Sequence, residues 1–143
     1  MEFRFSDKNP LHPISLFSFD AMHTRIEVLL TGIGESAGRS LAERVEQECR
    51  QMEHRFNCHD PKSPLAVVNS LAAERKVEVD DELFMALELC EVFRRGTAGY
   101  FDIATDSARA GERSYQLDAK AHTVSLSREG IRLDMGGFAK GFA

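Results

Sequence analysis

An acidic residue near the C-terminus is followed by glycines and a lysine, in the order Asp134, Gly136, Gly137 and Lys140. Glycines let a backbone approach a ligand closely and adopt unusual dihedral angles. A helix that began here would point free N–H groups at an anion, and the lysine would add a mobile positive charge. The segment therefore indicates an anion site, although it matches neither the P-loop nor the G-x-G-x-x-G pattern. Spacing alone leaves a glycine-rich turn with a solvated lysine as the alternative interpretation.

A second group places two aromatic residues before a carboxylate, at Tyr100, Phe101 and Asp102. An aromatic face can stack on a heterocycle, and a carboxylate can accept hydrogen bonds from an amine or a ribose hydroxyl. This combination is typical of a nucleotide site. The alternative is that one aromatic ring lies in the core and that Asp102 caps a turn.

Three further residues, His54, Cys58 and His59, are close enough in sequence to suggest a metal site. A structural zinc site takes four ligands and this segment offers three, so the spacing disfavours metal binding. Cys49 and Cys90 occupy apolar helix positions and are interpreted as core thiols. No nucleophile can be paired with a base from the sequence, so catalytic residues remain unassigned.

Hydrophobic patterns predict the elements that must position these residues. The clearest helix covers residues 35–57, where apolar residues recur at spacings of four, four, three and four. Ser63 is predicted to cap a helix that ends near Ala73, and Asp80 to cap a helix over roughly 81–95. Extended segments are predicted over residues 14–22, 24–30, 76–79, 100–104, 114–119, 122–127 and 131–135. Hairpins mixed with helices predict an α+β fold with a mainly antiparallel sheet packed with helices.

Composition excludes several classes of function. Lys and Arg together number 18 and Asp and Glu number 23, which gives a formal charge of −5 and no basic face for a nucleic acid. No apolar stretch approaches the ~20 residues of a membrane span. Three cysteines without a C-x-x-C pair indicate free thiols, so a cytoplasmic location is expected from this chain.

Four segments in order resemble the ApbE family, the FAD:protein FMN transferases, historically called thiamine biosynthesis lipoproteins. Residues 133–143, Leu-Asp-Met-Gly-Gly-Phe-Ala-Lys-Gly-Phe-Ala, are similar to the family's Asp-Leu-Gly-Gly-Ile-Ala-Lys-Gly-Tyr-Ala. Residues 96–103 resemble its Thr-Gly-Gly-x-Phe-Asp-Ile/Val, and residues 63–69 its Ser-x-Leu-x-x-x-Asn. Residues 21–24, Ala-Met-His-Thr, resemble its Ala-Met-Gly-Thr, with His23 in place of the glycine.

The resemblance implies a site for FAD as the substrate flavin. Gly137 would offer its backbone oxygen to a Mg²⁺ ion, and His59 stands where the family usually has a tyrosine. Carried over by position, the residues that would contact FAD are Met22, His59, Tyr100, Phe101, Asp102, Asp134 and Lys140.

The family reaction is a phosphoryl transfer in which a Thr or Ser hydroxyl of a target protein attacks the FMN phosphorus and AMP leaves. Residues 1–143 would be the N-terminal portion of an ApbE-like domain, and the family's distal half supplies an Asp and a Thr to the metal. This chain alone is therefore expected to be inactive. A non-catalytic FAD-binding or interaction module is the alternative.

An open sheet edge predicts a homo-oligomer. Exported relatives make a periplasmic or membrane-anchored location the alternative compartment.

Overall fold

The structure is a computed structural model that describes residues 1–106 and 112–142 of the chain. These residues form two compact units, Met1–Glu53 and His54–Phe142. Together they contain four helices and eight strands, and all strand pairs are antiparallel in the described part of the chain. The predicted α+β class with antiparallel sheets is confirmed.

The first unit is built on a three-stranded antiparallel sheet in the order β1-β2-β3. Alternation in β2 buries Phe17 and Phe19 on one face and leaves Ile14 and Leu16 partly exposed on the other, as the period of two requires. A tight turn at Met22 joins β2 to β3. The strands are β1 (Glu2–Ser6), β2 (Ile14–Ala21) and β3 (Thr24–Thr31). β1 is not among the predicted strands, and its Phe3 pairs with Phe17 of β2.

The first helix, α1 (Glu35–Phe56), agrees with the predicted segment to within one residue at its C-terminal end. It approaches the sheet closely at Gly38, where an added Cβ would lie 2.5 Å from Oγ of Ser15. A side chain at this position would have to displace the Ser15 hydroxyl or the helix, which favours glycine there.

The second unit contains three helices and five short strands. Ser63 and Asp80 cap two of the helices as predicted: Oγ of Ser63 accepts the Ala66 N–H at 3.0 Å, and Oδ1 of Asp80 accepts the Leu83 N–H at 2.9 Å. The elements are α2 (Pro64–Leu71), β4 (Val77–Glu78), α3 (Asp81–Gly96), β5 (Ala104–Asp106), β6 (Tyr115–Asp118), β7 (Thr123–Leu126), β8 (Ile131–Leu133) and α4 (Gly136–Phe142).

Two sheets hold the second unit, one in the order β4-β7-β6 and the other the pair β5-β8. The predicted hairpin around residues 120–121 is confirmed as β6 and β7. The largest fully buried apolar side chains of this unit come from α2, α3, β7, β8 and the segment between β8 and α4, and they are Leu65, Val68, Leu83, Leu87, Cys90, Val124, Leu133 and Met135.

The predicted strand over residues 100–104 is wrong. The chain turns at Ala98 and Gly99, which have φ angles of 52° and 85°, and the strand begins only at Ala104. Local hydrogen bonds hold the intervening residues in turns: Phe101 N–H donates to Oγ1 of Thr97, and Ala104 N–H donates to Oδ1 of Asp102. No helix in residues 1–106 and 112–142 is both long and apolar enough to cross a bilayer.

Candidate functional site

A side-chain clamp holds strand β8 in place. The Asn69 side chain on α2 donates from Nδ2 to the Leu133 carbonyl at 2.9 Å and accepts the Leu133 N–H at 2.8 Å. Ser63 anchors α2 at its other end, since its hydroxyl also donates to the Asn57 carbonyl at 2.6 Å. The segment 63–69 therefore positions the strand that leads to Asp134.

Asp134 directly follows strand β8 and lies near Asp102. Ala104 of β5 pairs with Leu133, and the next step of the ladder is the Asp134 N–H, which donates to the Ile103 carbonyl at 2.8 Å. Asp102 directly precedes Ile103. Two acidic residues that are far apart in sequence thus lie at adjacent positions of one strand pair.

Helix α4 begins immediately after Asp134 and is short. The Gly136 N–H donates to Oδ1 of Asp134 at 2.8 Å, and an added Cβ on Gly136 would lie 3.1 Å from that oxygen. Phe138 is buried, whereas Gly137 and Lys140 are exposed. Within residues 1–106 and 112–142, the Lys140 ammonium group has no ion-pair partner, so it is available to an anion. Ala143, the last residue of the C-terminal motif, lies outside the described residues.

The aromatic motif lies against this helix. Cε2 of Phe101 is 4.0 Å from the position of a Cβ on Gly137, and the Phe101 ring meets Phe93 edge-on with centroids 6.1 Å apart. Tyr100 is 98% exposed, at the outer side of the turn. The two motifs singled out in the sequence are therefore adjacent in space.

Arg132 of strand β8 also contacts the loop that carries His59. The Arg132 guanidinium donates from Nη2 to the Cys58 carbonyl and lies 2.9 Å from Nδ1 of the exposed His59 ring. Arg132 lies two residues before Asp134. His54 pairs instead with Asp60 at 3.3 Å, so the two histidines have separate protein partners.

Met22, the remaining predicted contact residue, belongs to the first unit. It lies in the β2–β3 turn with φ of 52°, is 8% exposed, and donates its N–H to Oε1 of Glu53 at 2.8 Å. His23 follows with φ of 56°, in the left-handed region where the family's glycine would be unstrained.

A buried polar cluster on α3 is absent from the predicted site. Glu91 is 6% exposed and accepts two hydrogen bonds from Arg94, at 2.7 and 3.0 Å, and one from Arg95 at 2.9 Å. Hydrogen bonds from Arg94, assisted by Arg95 and opposed by burial, lower the pKa of Glu91 from 4.5 to about 2. A Glu with Arg at i+3 and i+4 is a signal that the sequence does contain.

Two weak acids complete this cluster. Burial raises the pKa of the Cys90 thiol to about 12, and the negative charge of Asp102 adds to the shift. Burial also raises the pKa of Tyr115, with further contributions from Cys90, Glu91 and Asp102. The charge of the partly exposed Asp102 thus contributes to the raised pKa of one buried group on α3 and one on β6.

A wide cavity of about 770 Å³ lies elsewhere in the second unit, beside the start of α3. Its wall carries four acidic residues, Glu78, Asp80, Asp81 and Glu82, which outnumber the cations Arg55 and Lys120. Arg55 is moreover occupied in ion pairs with Asp80 and Glu82. A diphosphate would be repelled by these acids. The residues at α4 are therefore a better candidate for an anion site than this cavity.

The fit to a magnesium ion is incomplete. Mg²⁺ prefers six oxygen ligands in octahedral geometry. The described residues contain no group of three or more His, Cys, Asp or Glu side chains that could hold a metal. If the Gly137 carbonyl were one ligand, as the resemblance implies, most of the others would have to come from the substrate, from water or from additional protein.

Comparison with known proteins identifies the family. The family model described as "ApbE family" matches residues 22–143. The chain belongs to the ApbE family. Met22 is the first matched residue, so the match includes every residue of the predicted site.

A solved ApbE structure shows the same fold. The crystal structure of the ApbE protein TM1553 from Thermotoga maritima MSB8 is similar with a TM-score of 0.78 and 19% sequence identity. The similarity covers 97% of this chain and 50% of that chain, so this chain spans half the length of the relative. No curated protein matches the chain.

Proposed function

We propose that this chain provides part of an FAD:protein FMN transferase, with the flavin dinucleotide held at the junction of β5, β8 and α4. Membership of the ApbE family supports a flavin-related, transferase-like role. The observation that carries the proposal is the closeness of Phe101 to Gly137, where an added Cβ would lie 4.0 Å from Cε2 of Phe101, because it puts the aromatic–acidic motif beside the glycine–lysine motif.

Each group in this cluster suits one part of FAD. Tyr100 exposes 98% of its surface and can stack on a heterocyclic ring at little cost. Lys140 offers a free positive charge to the diphosphate. Asp102 and Asp134 are acceptors for amine or hydroxyl groups, and Asp134 is held by its bond to the Gly136 N–H. Lys140 must also offset the repulsion between these acids and the phosphates.

The proposed reaction breaks one phosphoanhydride bond. A Thr or Ser hydroxyl of a target protein attacks the FMN phosphorus, the bond to the AMP oxygen breaks, and the hydroxyl proton passes to solvent. The chain's residues bind and orient the dinucleotide for this displacement, which relies on positioning and electrostatic stabilisation. A Mg²⁺ ion would neutralise phosphate charge, with the Gly137 carbonyl as one ligand.

A second candidate is a non-catalytic FAD-binding or interaction module. It is favoured by the lack, among the described residues, of a group of three or more His, Cys, Asp or Glu side chains that could hold a metal, and by the match to half of the ApbE structure. In this case FAD would bind and remain intact.

One experiment separates the candidates. The chain is incubated with FAD, Mg²⁺ and a peptide that carries an acceptor threonine, and FAD binding, AMP release and peptide mass are measured. We expect FAD to bind. AMP release with a flavin-tagged peptide supports transfer by this chain, whereas binding without AMP supports the second candidate. Absence of FAD binding at millimolar concentration contradicts both.

The partners proposed are a target protein and a second copy of the chain. Among the described strands, β3 pairs only with β2 and β5 only with β8, which leaves strand edges able to accept another strand. Light scattering over a hundredfold concentration range should show a rising mass, and a constant monomer mass would contradict self-association.

Three free cysteines support a reducing compartment, the cytoplasm, as our proposal, with the periplasm as the alternative.

A further inference from the structure

We propose that Arg132 is a positioning residue that fixes the His59 ring in one tautomer, with the ring proton on Nε2, and that this N–H donates a hydrogen bond to an acceptor oxygen of the dinucleotide. The inference rests on the proposed function for its ligand. It deepens that function, because it gives His59 a role other than stacking. It also assigns a role to Arg132, which lies outside the four ApbE-like segments.

The direction of the hydrogen bond between Arg132 and His59 determines the tautomer. Nη2 of Arg132 lies 2.9 Å from Nδ1 of His59. A guanidinium has only N–H donors, so Nδ1 is the acceptor in this contact. An imidazole that accepts at Nδ1 carries its proton on Nε2. The ring is exposed and its Nε2 has no partner within the part of the chain that the structure describes, so this N–H is available to a ligand.

The backbone and the ring of His59 are both fixed by hydrogen bonds. The His59 N–H donates to Oδ1 of Asn57 at 3.0 Å, which closes a turn in the loop before α2. Nη2 of Arg132, which contacts the ring, also donates to the Cys58 carbonyl at 2.9 Å. An exposed side chain normally samples several rotamers, whereas this ring is restrained on two sides. A donor that is ordered before the ligand arrives loses less entropy on binding.

Strand geometry places Arg132 on the same face as Asp134. Side chains two residues apart in a strand point to the same side of the sheet. Leu133 between them is fully buried, so Arg132 and Asp134 lie on the face away from the core. The ladder with β5 continues to Asp134, whose N–H donates to the Ile103 carbonyl at 2.8 Å. The contact with Arg132 therefore brings the His59 ring to the face of β8 that carries Asp134.

Two other histidines of the same unit show the opposite arrangement. Nδ1 of His54 lies 3.3 Å from Oδ2 of Asp60, and Nδ1 of His122 lies 2.9 Å from Oδ1 of Asp81. An ionised carboxylate only accepts, so Nδ1 of both rings is the donor. We therefore expect an Nε2–H tautomer at His59 and Nδ1–H tautomers at the other two, which serve as internal controls.

The first experiment needs no flavin. Long-range proton–nitrogen correlation spectra of the nitrogen-labelled chain, recorded at about pH 8.5, where imidazole is normally neutral, show which ring nitrogen carries the proton. We expect Nδ1 of His59 to show the full shift of an unprotonated nitrogen in the parent chain. In Arg132→Met it should show the averaged shift of two exchanging tautomers, while His122 should not change.

The parent spectrum decides the tautomer even if Arg132→Met does not fold. A protonated or averaged Nδ1 of His59 in the parent chain overturns the inference. A His59 spectrum that Arg132→Met leaves unchanged overturns the role of Arg132.

The second experiment separates a hydrogen bond from stacking. Gln places an amide N–H near the position of the imidazole Nε2, and Phe keeps an aromatic face without a donor. We expect the dissociation constant for FAD to stay within about threefold in His59→Gln and to rise about tenfold in His59→Phe. If His59→Phe binds FAD at least as tightly as His59→Gln, the donor role is overturned, while FAD binding by the parent chain leaves the proposed function intact.

A double-mutant cycle tests whether Arg132 acts on FAD binding through His59. Arg132→Met should raise the dissociation constant about fivefold in the parent chain and less than about twofold in His59→Phe. Equal effects in the two backgrounds overturn the positioning role of Arg132. If the parent chain does not bind FAD, the proposed function and the donor role both fall, whereas the tautomer spectrum still decides the pairing of Arg132 with His59.

Discussion

The clamp between Asn69 and strand β8 gives a sharp test of how the site is positioned. In Asn69→Ala, the N–H and the carbonyl of Leu133 both lose their partner. Leu133 is fully buried, so neither group regains a full contact with water. An unsatisfied buried polar group costs about 1–3 kcal/mol, which bounds the loss at about 2–6 kcal/mol for the two.

We expect the lower half of this range, about 3 kcal/mol, because Asn69 is only half-buried and water can enter where its side chain is removed. For a chain of this size that corresponds to a fall in melting temperature of about 10 °C. Ser70→Ala is the control: its exposed hydroxyl bonds only to the Val67 carbonyl, and its loss should be within about 0.5 kcal/mol.

Urea unfolding and amide hydrogen exchange measure the two consequences separately. The unfolding midpoint reports the free energy, and the Leu133 amide should exchange much faster in Asn69→Ala than in the parent chain. If Asn69→Ala behaves like Ser70→Ala in both measurements, the clamp does not hold β8, and the positioning of Asp134 needs another explanation.

Three other measurements address the site, the charge cluster and the hairpin turn. Lys140→Ala should weaken FAD binding by about 1–3 kcal/mol if its ammonium group contacts phosphate. The control is Gly141→Ala, whose added Cβ meets nothing within 4 Å and should leave FAD binding unchanged. If Lys140→Ala binds FAD as tightly as the parent chain, Lys140 is not part of the site. Glu91 has a depressed pKa of about 2 against 4.5 in the unfolded chain, so its stabilisation of about 2–3 kcal/mol is present above pH 4.5 and is lost as pH falls towards 2. Glu91→Gln should reduce the dependence of the melting temperature on pH in this range. An unchanged pH dependence contradicts the lowered pKa of Glu91. His23→Gly should raise the free energy of unfolding by about 1 kcal/mol, because it relieves a φ of 56°, and an unchanged urea midpoint means that His23 is not strained.

The features that depend on nearby residues, such as helix caps and helix bounds, were the ones best predicted from the sequence. The caps at Ser63 and Asp80 each involve an N–H three residues ahead, so residue types at fixed spacing predict them. The amphipathic pattern of α1 predicts its bounds equally well. The strand expected over residues 100–104 fails for a local reason too: turns at Gly99 and Asp102 satisfy the backbone before any ladder begins.

Contacts between distant segments could not be read in the same way. The Asn69 clamp spans 64 residues, and the contact of Arg132 with His59 spans 73. Periodicity describes the face of one element and does not say which element covers it. The resemblance to the ApbE family brought distant segments into one hypothesis, but it said nothing of the contacts that join them in space.

The two tyrosines also give the chain its own optical reporter. The sequence has no tryptophan, so ultraviolet emission comes from Tyr100 and Tyr115 alone. One ring is 98% exposed and the other 2% exposed, so a water-borne quencher should dim only the first. A flavin stacked on Tyr100 would quench the fluorescence of that same tyrosine. Titration of the unlabelled chain can therefore follow occupancy without any attached dye.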